Sequence, residues 1–345
     1  MKHIGMDAHS TTTTLTVLNS RGREIAHTRI PTRDAALVDF FESIPGQKRV
    51  ALEESPVADW VTRVIQPHVS EVIRCLPQHN RLISESEKKC DREDSRSLAN
   101  LLFLNRLKPV HHPAEIYRDL REGVRSYWKA SSELTRARNR LKAFFAFNGI
   151  QCQDEQVYLV RSRKEYGEKL AKRGGNSDLL KLLYLQLDRM VESKAMHLRL
   201  LRELGKPVRE SIQLLQTIPA IGEIGAHTLA AYLENGWRIP NKRKLWQYCG
   251  IGLRQHQSDG TGYQAASLNG NRLLKNTLMT AASCIIAMGH DRNALCRLLR
   301  RDEATGVPIA RSRRNLARKT AVIAQHVLRY EEEYDDAKVI AVVST

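Results

Sequence analysis

Residues 2 to 18 alternate or run apolar and are rich in threonine (Thr11 to Thr14, Thr16), which predicts strand. Asn19-Ser20-Arg21-Gly22 reads as a turn, and Glu24 to Ile30 as another strand. Ala35 to Ser43 puts Leu37, Phe40 and Phe41 on one side of a helix. Val50 to Glu53 is a short buried strand. Pro56 stands near the start of a helix through Ile65, where proline is tolerated. Glu71 to Leu76 is a further strand, and a helix follows from about Asp91 to Arg106. Strands first, then alternating helix and strand, predict a mixed α/β sheet.

The period then becomes helical. From Pro113 to about Gly149 one long helix is expected, with Leu120, Val124, Tyr127, Trp128, Leu134, Ala137, Leu141 and Phe145 on one side. Arg118, Arg121, Arg125, Lys129, Arg136 and Arg140 form a stripe on the other, a candidate track for a phosphate backbone or simply a solvated face. A second helix covers about Ser177 to Leu204, with Leu180, Leu183, Leu187, Met190, Leu201 and Leu204 at 3-4 spacing. The pair resembles a short coiled coil, either an intramolecular hairpin, which we favour, or a dimer seam.

From Pro207 the pattern is mostly helical. Leu214 to Gly225 reads as helix, tight turn, helix and resembles a helix-hairpin-helix, whose turn offers N–H groups to phosphate. Ala220 stands where that motif usually has glycine. A Gly-rich stretch from Gly250 to Gly270 follows, then an apolar helix around Leu278 to Met288, then a basic end with Arg311, Arg313, Arg314, Arg318 and Lys319. The expected organisation is residues 1–108 as an α/β domain, 109–206 as a helical coiled-coil linker and 207–345 as a mostly α-helical domain.

Charge narrows the function. The 345 residues carry a formal net charge of +17, and the pI is about 9.8. Such an excess points to a polyanionic partner, nucleic acid first. No apolar run reaches the roughly 20 residues of a membrane span, and no membrane partner is expected. Six scattered cysteines form no C-x-x-C pair, and the twelve histidines include no H-E-x-x-H helix. That is the pattern of reduced thiols in a cytoplasmic protein.

Four carboxylates carry the chemistry. Asp7 ends the apolar run His3-Ile4-Gly5-Met6-Asp7, and Glu53 ends Arg49-Val50-Ala51-Leu52-Glu53, with Glu54 beside it as a competing choice. Asp91 and Asp94 follow, three apart and so on one helix face. Taken singly, each is also what a strand end or a helix start offers. Together, two strand-end acids and a helical acid pair gather negative charge for hard cations such as Mg²⁺ or Mn²⁺. Two such ions roughly 4 Å apart clamp the attacking and leaving oxygens of a phosphodiester. A serine of the Gly-rich stretch, Ser258 or Ser267, with arginines and a histidine near, is a candidate nucleophile, although loop serines are more often turn residues.

The acidic order resembles the RNase H-like fold of RuvC-type Holliday-junction resolvases, in which the first strand is central and the later acidic strand lies beside it. The chain as a whole resembles the DEDD-type transposases of the IS110 insertion-sequence family, relatives of the Piv invertases. Asp7, Glu53, Asp91 and Asp94 match the four acidic positions. Ile218-Pro219-Ala220-Ile221-Gly222, Ser258 to Leu278 and Arg318-Lys319-Thr320-Ala321 match the carboxy-terminal transposase domain. The resemblance implies a recombinase that moves its own element. It also implies DNA as partner, a structured guide RNA, a dimer or tetramer, Mg²⁺ at the acids and a covalent phosphoserine step at Ser258, in a composite site. Asp259, and Leu268 after Ser267, depart from the family pattern. Two other readings stay open: a RuvC-like metal-dependent nuclease in which water attacks, and a non-catalytic binder on a dead RNase H-like scaffold.

Overall fold

The structure is a computed structural model that describes residues 1–76, 91–152, 154–258, 261–266, 270–289 and 292–338, with backbone only at 91, 254–258 and 261–266. It divides into two compact units, Met1–His112 and Pro113–Thr345.

The first unit is built on β1 (Lys2–Ala8), β2 (Thr12–Leu18), β3 (Glu24–Pro31), β4 (Lys48–Glu53) and β5 (Glu71–Cys75). They form one sheet in the order β3-β2-β1-β4-β5. β1 is antiparallel to β2 and parallel to β4, so it is the central strand with the second acidic strand beside it. The threonine-rich segment expected as strand over residues 2 to 18 is two strands. His9-Ser10-Thr11 is exposed and polar, and the His9 N–H donates to the Thr12 carbonyl at 3.0 Å, closing a tight turn. Helices α1 (Asp34–Ser43) and α2 (Ala58–Ile65) cover one face of the sheet, burying Leu37, Phe41, Val61 and Ile65 against Ile4, Met6, Val50 and Leu52. Helix α3 (Asp91–Phe103) covers the other, where Leu98, Leu101 and Leu102 meet Ala51 and Cys75. Alternation along each strand separates the two faces. This is the mixed α/β architecture that the pattern predicts, and the RNase H-like one that the resemblance implies, followed by a mostly helical region.

In the second unit α4 (Glu115–Phe147) packs antiparallel to α6 (Ser177–Gly205), as an intramolecular hairpin. At one end Gly123 lies under Leu204 and Leu201; at the other the Phe145 and Tyr184 rings are 6.5 Å apart. Between them comes α5 (Arg163–Ala171), whose Tyr166 ring lies 5.1 Å from Phe145. Then follow α7 (Arg209–Gln216), α8 (Glu223–Leu233), α9 (Lys242–Tyr248), the hairpin β6 (Leu253–Ser258) and β7 (Thr261–Ala266), α10 (Arg272–Met288), α11 (Ala294–Ala304) and α12 (Ile309–Tyr330). The core joins Val124, Leu201, Leu229, Leu278, Leu316 and Ala321. Asn176, Asn241, Asn271 and Asn293 each accept first-turn N–H groups, which sets where α6, α9, α10 and α11 begin. None of the described helices is long and apolar enough to cross a membrane.

Candidate active site

Parallel pairing puts Met6 opposite Leu52, so Asp7 and Glu53 are the next residues on neighbouring strands, at the same end of the sheet. Ile4 and Met6 point into the α1–α2 core, as do Val50 and Leu52. Strand alternation therefore turns Asp7 and Glu53 to the opposite face, the one α3 covers. Asp7 is nearly buried, with 8% of its side chain exposed, and its Oδ2 lies 3.1 Å from Nε2 of the exposed His9.

Helix α3 runs antiparallel to β1. The edge of the Phe103 ring meets His3 with centroids 5.3 Å apart. One to two turns earlier, the backbone of Ala99 and Ser95 lies on Gly5. A methyl carbon at Gly5 would fall 1.9 Å from the Ser95 carbonyl oxygen and 2.4 Å from the Ala99 nitrogen. Ser95 Oγ is also hydrogen-bonded to Thr16 Oγ1 at 2.9 Å. Continuing along the helix axis, the first turn, with Asp91 and Asp94, extends past Gly5 toward the Asp7 end of the strand. Asp94 is half-buried; the side chain of Asp91 lies outside the described residues. Among the described residues, no group of three or more His, Cys, Asp or Glu side chains could hold a metal ion. Gly5, Ser95 and Thr16 thus seat the helical acids, a role the reading of charged residues missed. The available signal was a glycine inside a strand, which marks a close backbone approach.

The neighbouring glutamates are separated by Arg74. This arginine, on β5 opposite Leu52, donates from Nη2 and Nε to Glu54 at 2.7 and 3.0 Å and from Nη1 to Asp59 at 3.1 Å. Glu54 is therefore taken up beside α2, whereas Glu53 shares the face of Asp7. Cys75, the register partner of Glu53, is fully buried. Burial first, then the charges of Glu53 and Glu54, push its thiol up to about 12, so it is neutral at physiological pH.

In the second unit Ser258 is the last residue of β6 and pairs with Thr261 of β7. Asp259 and Ser267 lie outside the described residues. The glycines work at the base of this hairpin. Gly250 has φ +66°, and a methyl carbon on Gly270 would fall 2.4 Å from the Gly250 Cα. The Asn271 N–H donates to the Tyr248 carbonyl at 2.8 Å beside them.

The predicted basic residues fall into two groups. Arg125, Lys129, Arg136 and Arg140 are exposed along α4. Arg118 is half-buried and pairs with Glu115 and Asp119. Arg121 is built into the fold: its Nε donates to the Ala231 carbonyl at 2.8 Å and its Nη2 to Glu234 at 2.7 Å. On α12, Arg314 and Lys319 are half-buried, and Arg318 donates from Nε to the Ile251 carbonyl at 2.9 Å while its guanidinium lies over the Trp246 ring.

Comparison with known protein families decides the identity. Residues 4–147 match the DEDD_Tnp_IS110 family model, described as Transposase. Residues 212–296 match the model described as Transposase IS116/IS110/IS902 family. The chain belongs to this transposase family. No curated protein matches it. As a member it is a DNA-transposition enzyme that acts on phosphodiesters, with DNA as its partner and a RuvC-like, RNase H-like first unit.

Membership corrects one expectation. The family is DEDD-type, defined by Asp and Glu chemistry, and nothing in the match assigns a serine nucleophile. Among the described residues, no group of three or more His, Cys, Asp or Glu side chains could hold a metal ion to assist one. A serine hydroxyl needs an adjacent base, or a phosphate already polarised, to attack. Metal-assisted attack by Ser258 is therefore not the function of this chain, and the RuvC-like nuclease reading fits better.

Proposed function

We propose that the transposase cuts DNA phosphodiesters at the acidic edge of its first unit, with Asp7, Glu53, Asp91 and Asp94 as the site and water as the attacking group. The observation that carries this reading is the placement of Asp7 and Glu53 at adjacent ends of β1 and β4, on the face covered by the helix that bears the other two acids. A donor set made only of carboxylate oxygens fits Mg²⁺ or Mn²⁺ rather than a soft metal. Such an ion, when bound, neutralises charge on the scissile phosphate and lowers the pKa of a water it holds. The chain's own parts do the rest. His9 orients the Asp7 carboxylate at 3.1 Å. The exposed cations Arg125, Lys129, Arg136 and Arg140 of α4 meet the nucleic-acid backbone, of DNA or of a guide RNA, and Arg314 and Lys319 of α12 are further cations for it.

The test is Mg²⁺-dependent nicking of DNA carrying an end of the element. Asp7→Asn and Glu53→Gln are each expected to slow it by about a hundredfold or more, the scale of losing one group that stabilises transition-state charge. Circular dichroism of both variants should be unchanged, because neither substitution opens a cavity. Ser258→Ala is expected to nick at the wild-type rate. Near wild-type nicking by Asp7→Asn, or loss of nicking in Ser258→Ala with the acids intact, would overturn the assignment.

A further inference from the structure

A groove of about 480 Å³ opens in the second unit between α9, α11 and α12. That volume lies within the roughly 300–1,000 Å³ of ligand pockets. One side is apolar, made by Leu298, Leu316, Val322, Ile323 and the indole of Trp246. Four cations line it as well, Lys242, Arg301, Arg318 and Lys319, against a single carboxylate, Asp302. Asp302 is not spent on those cations: its Oδ2 accepts from Asn315 Nδ2 at 3.2 Å, which leaves an acceptor and an amide side by side at the wall.

The cations are crowded. Burial, and then the charge of Lys242, holds the Lys319 ammonium below its usual range; burial, and then Arg314, does the same to Arg318. Positive charge compressed against an apolar floor gains most from an anion that also carries a flat apolar part. Arg318 keeps Trp246 in place from two directions: its guanidinium lies 5.3 Å from the ring centroid, and its carbonyl accepts from the indole Nε1 at 3.3 Å. A bare phosphate would use the cations and leave the indole and aliphatic floor wet. An acidic peptide would not need the adjoining Asp302–Asn315 pair, which matches the donor and acceptor edge of a base. A duplex cannot offer such a base without extruding it.

We propose that this groove binds one unpaired nucleotide of a nucleic-acid strand, with its base against Trp246 and the aliphatic floor and its phosphate on Lys242, Arg301 and Lys319. The proposal rests on the family's commitment to nucleic acid but not on which group attacks the phosphodiester. It therefore stands or falls separately from the acidic site.

The experiment is photocrosslinking of the full chain to short single strands carrying one 5-iodouracil, as DNA and as RNA, with the adduct located by mass spectrometry. The expected adduct is on Trp246. It should be lost in Trp246→Leu and fall about tenfold in the rim variant Lys242→Gln/Arg301→Gln, whose substitutions leave the aliphatic floor intact. A fully paired duplex of the same sequence should give less than a tenth of the adduct. The two strand types identify whether the nucleotide belongs to DNA or RNA. Adducts that map away from α9, α11 and α12, or a Trp246 adduct as strong with duplex as with single strand, would overturn the proposal. So would an unchanged yield in the rim variant. Nicking by the acidic site is read in parallel on the same rim variant; retained nicking with a lost adduct separates the two sites.

Discussion

In the first unit the parts of the acidic site are set by backbone lying on backbone: strand register aligns Asp7 with Glu53, and α3 rests its main chain on Gly5. In the second unit side chains hold the main chain. Arg121 binds the Ala231 carbonyl at the end of α8, Gln325 donates to the carbonyls of Gly236 and Ile239 at 3.0 and 2.7 Å, and Arg329 reaches the same two carbonyls. Buried cations follow the same division. Arg74 of the first unit meets Glu54 and Asp59, whose side chains are 35% and 45% exposed, so they remain in touch with water. Arg121 meets Glu234, which is only 11% exposed. The lesson concerns charge. Part of the +17 excess of this chain is consumed in bracing loops and helix ends of the second unit, so the surface offered to nucleic acid is smaller than composition suggests.

The sharpest way to break this contrast is Gly5→Ala. No side-chain movement relieves a carbon 1.9 Å from a helix carbonyl. The substitution is expected to cost about 3 kcal/mol or more, the upper end of overpacking, and to abolish nicking as α3 is pushed from the sheet. Urea denaturation and the nicking assay read both. A variant of wild-type stability would mean that the helix is not seated on β1 as described.

Next comes a matched pair of arginines. Arg121→Met takes from Glu234, in a nearly dry place, the cation at 2.7 Å and leaves Arg238 at the longer distance of 3.6 Å. A loss of about 2–3 kcal/mol is expected. Arg74→Met leaves carboxylates that water can reach and should cost about 1–2 kcal/mol. Adding Glu234→Gln to Arg121→Met should recover part of the loss in a double-mutant cycle. Equal losses for the two arginines, or no recovery, would remove the distinction between the units.

The exposed cations are tested by salt. Neutralising Arg125, Lys129 and Arg136 together is expected to flatten the slope of log affinity for nucleic acid against log salt by about 2 to 3, at roughly 0.7 to 0.9 per phosphate contact. Arg121→Met should leave the slope unchanged, since that guanidinium is already bonded to carbonyl and carboxylate. A slope that responds to Arg121 and not to the exposed three would reverse the assignment.

The smallest effect is a gain. Ala220, in the turn between α7 and α8, has φ +66°. A side chain in that left-handed region costs about 1–2 kcal/mol, and glycine gives back part of it as unfolded-state entropy. Ala220→Gly should therefore stabilise the protein by about 0.5–1 kcal/mol, visible as a higher Tm. A lower Tm would show that the turn has another conformation.

Much of the first unit is legible from the chain alone, because alternation and turn residues are local signals. Strand after strand, the periodicity marks the elements of a mixed α/β sheet, and the order of its acids carries the resemblance that implies a central β1 with β4 beside it. The long apolar stripes likewise mark α4 and α6. What the chain alone left open depended on partners far away. Glu53 and Glu54 look alike in sequence; they part only because Arg74, some 20 residues on from Glu54, takes one of them. Arg121 belongs to a basic stripe until Glu234, 113 residues away, folds against it. Residues 2 to 18 read as one strand because threonine is as fit for a turn's flanks as for a strand, and only pairing of β1 with β2 sets the break. Ser258 reads as a loop nucleophile because it lies in a Gly-rich stretch, whereas the two glycines that bound the stretch, Gly250 and Gly270, meet at the base of a hairpin. Local chemistry determines the elements and the residue types available to the site. Which face each residue turns to, and whether its charge is spent or offered, is decided by contacts that only the folded chain makes.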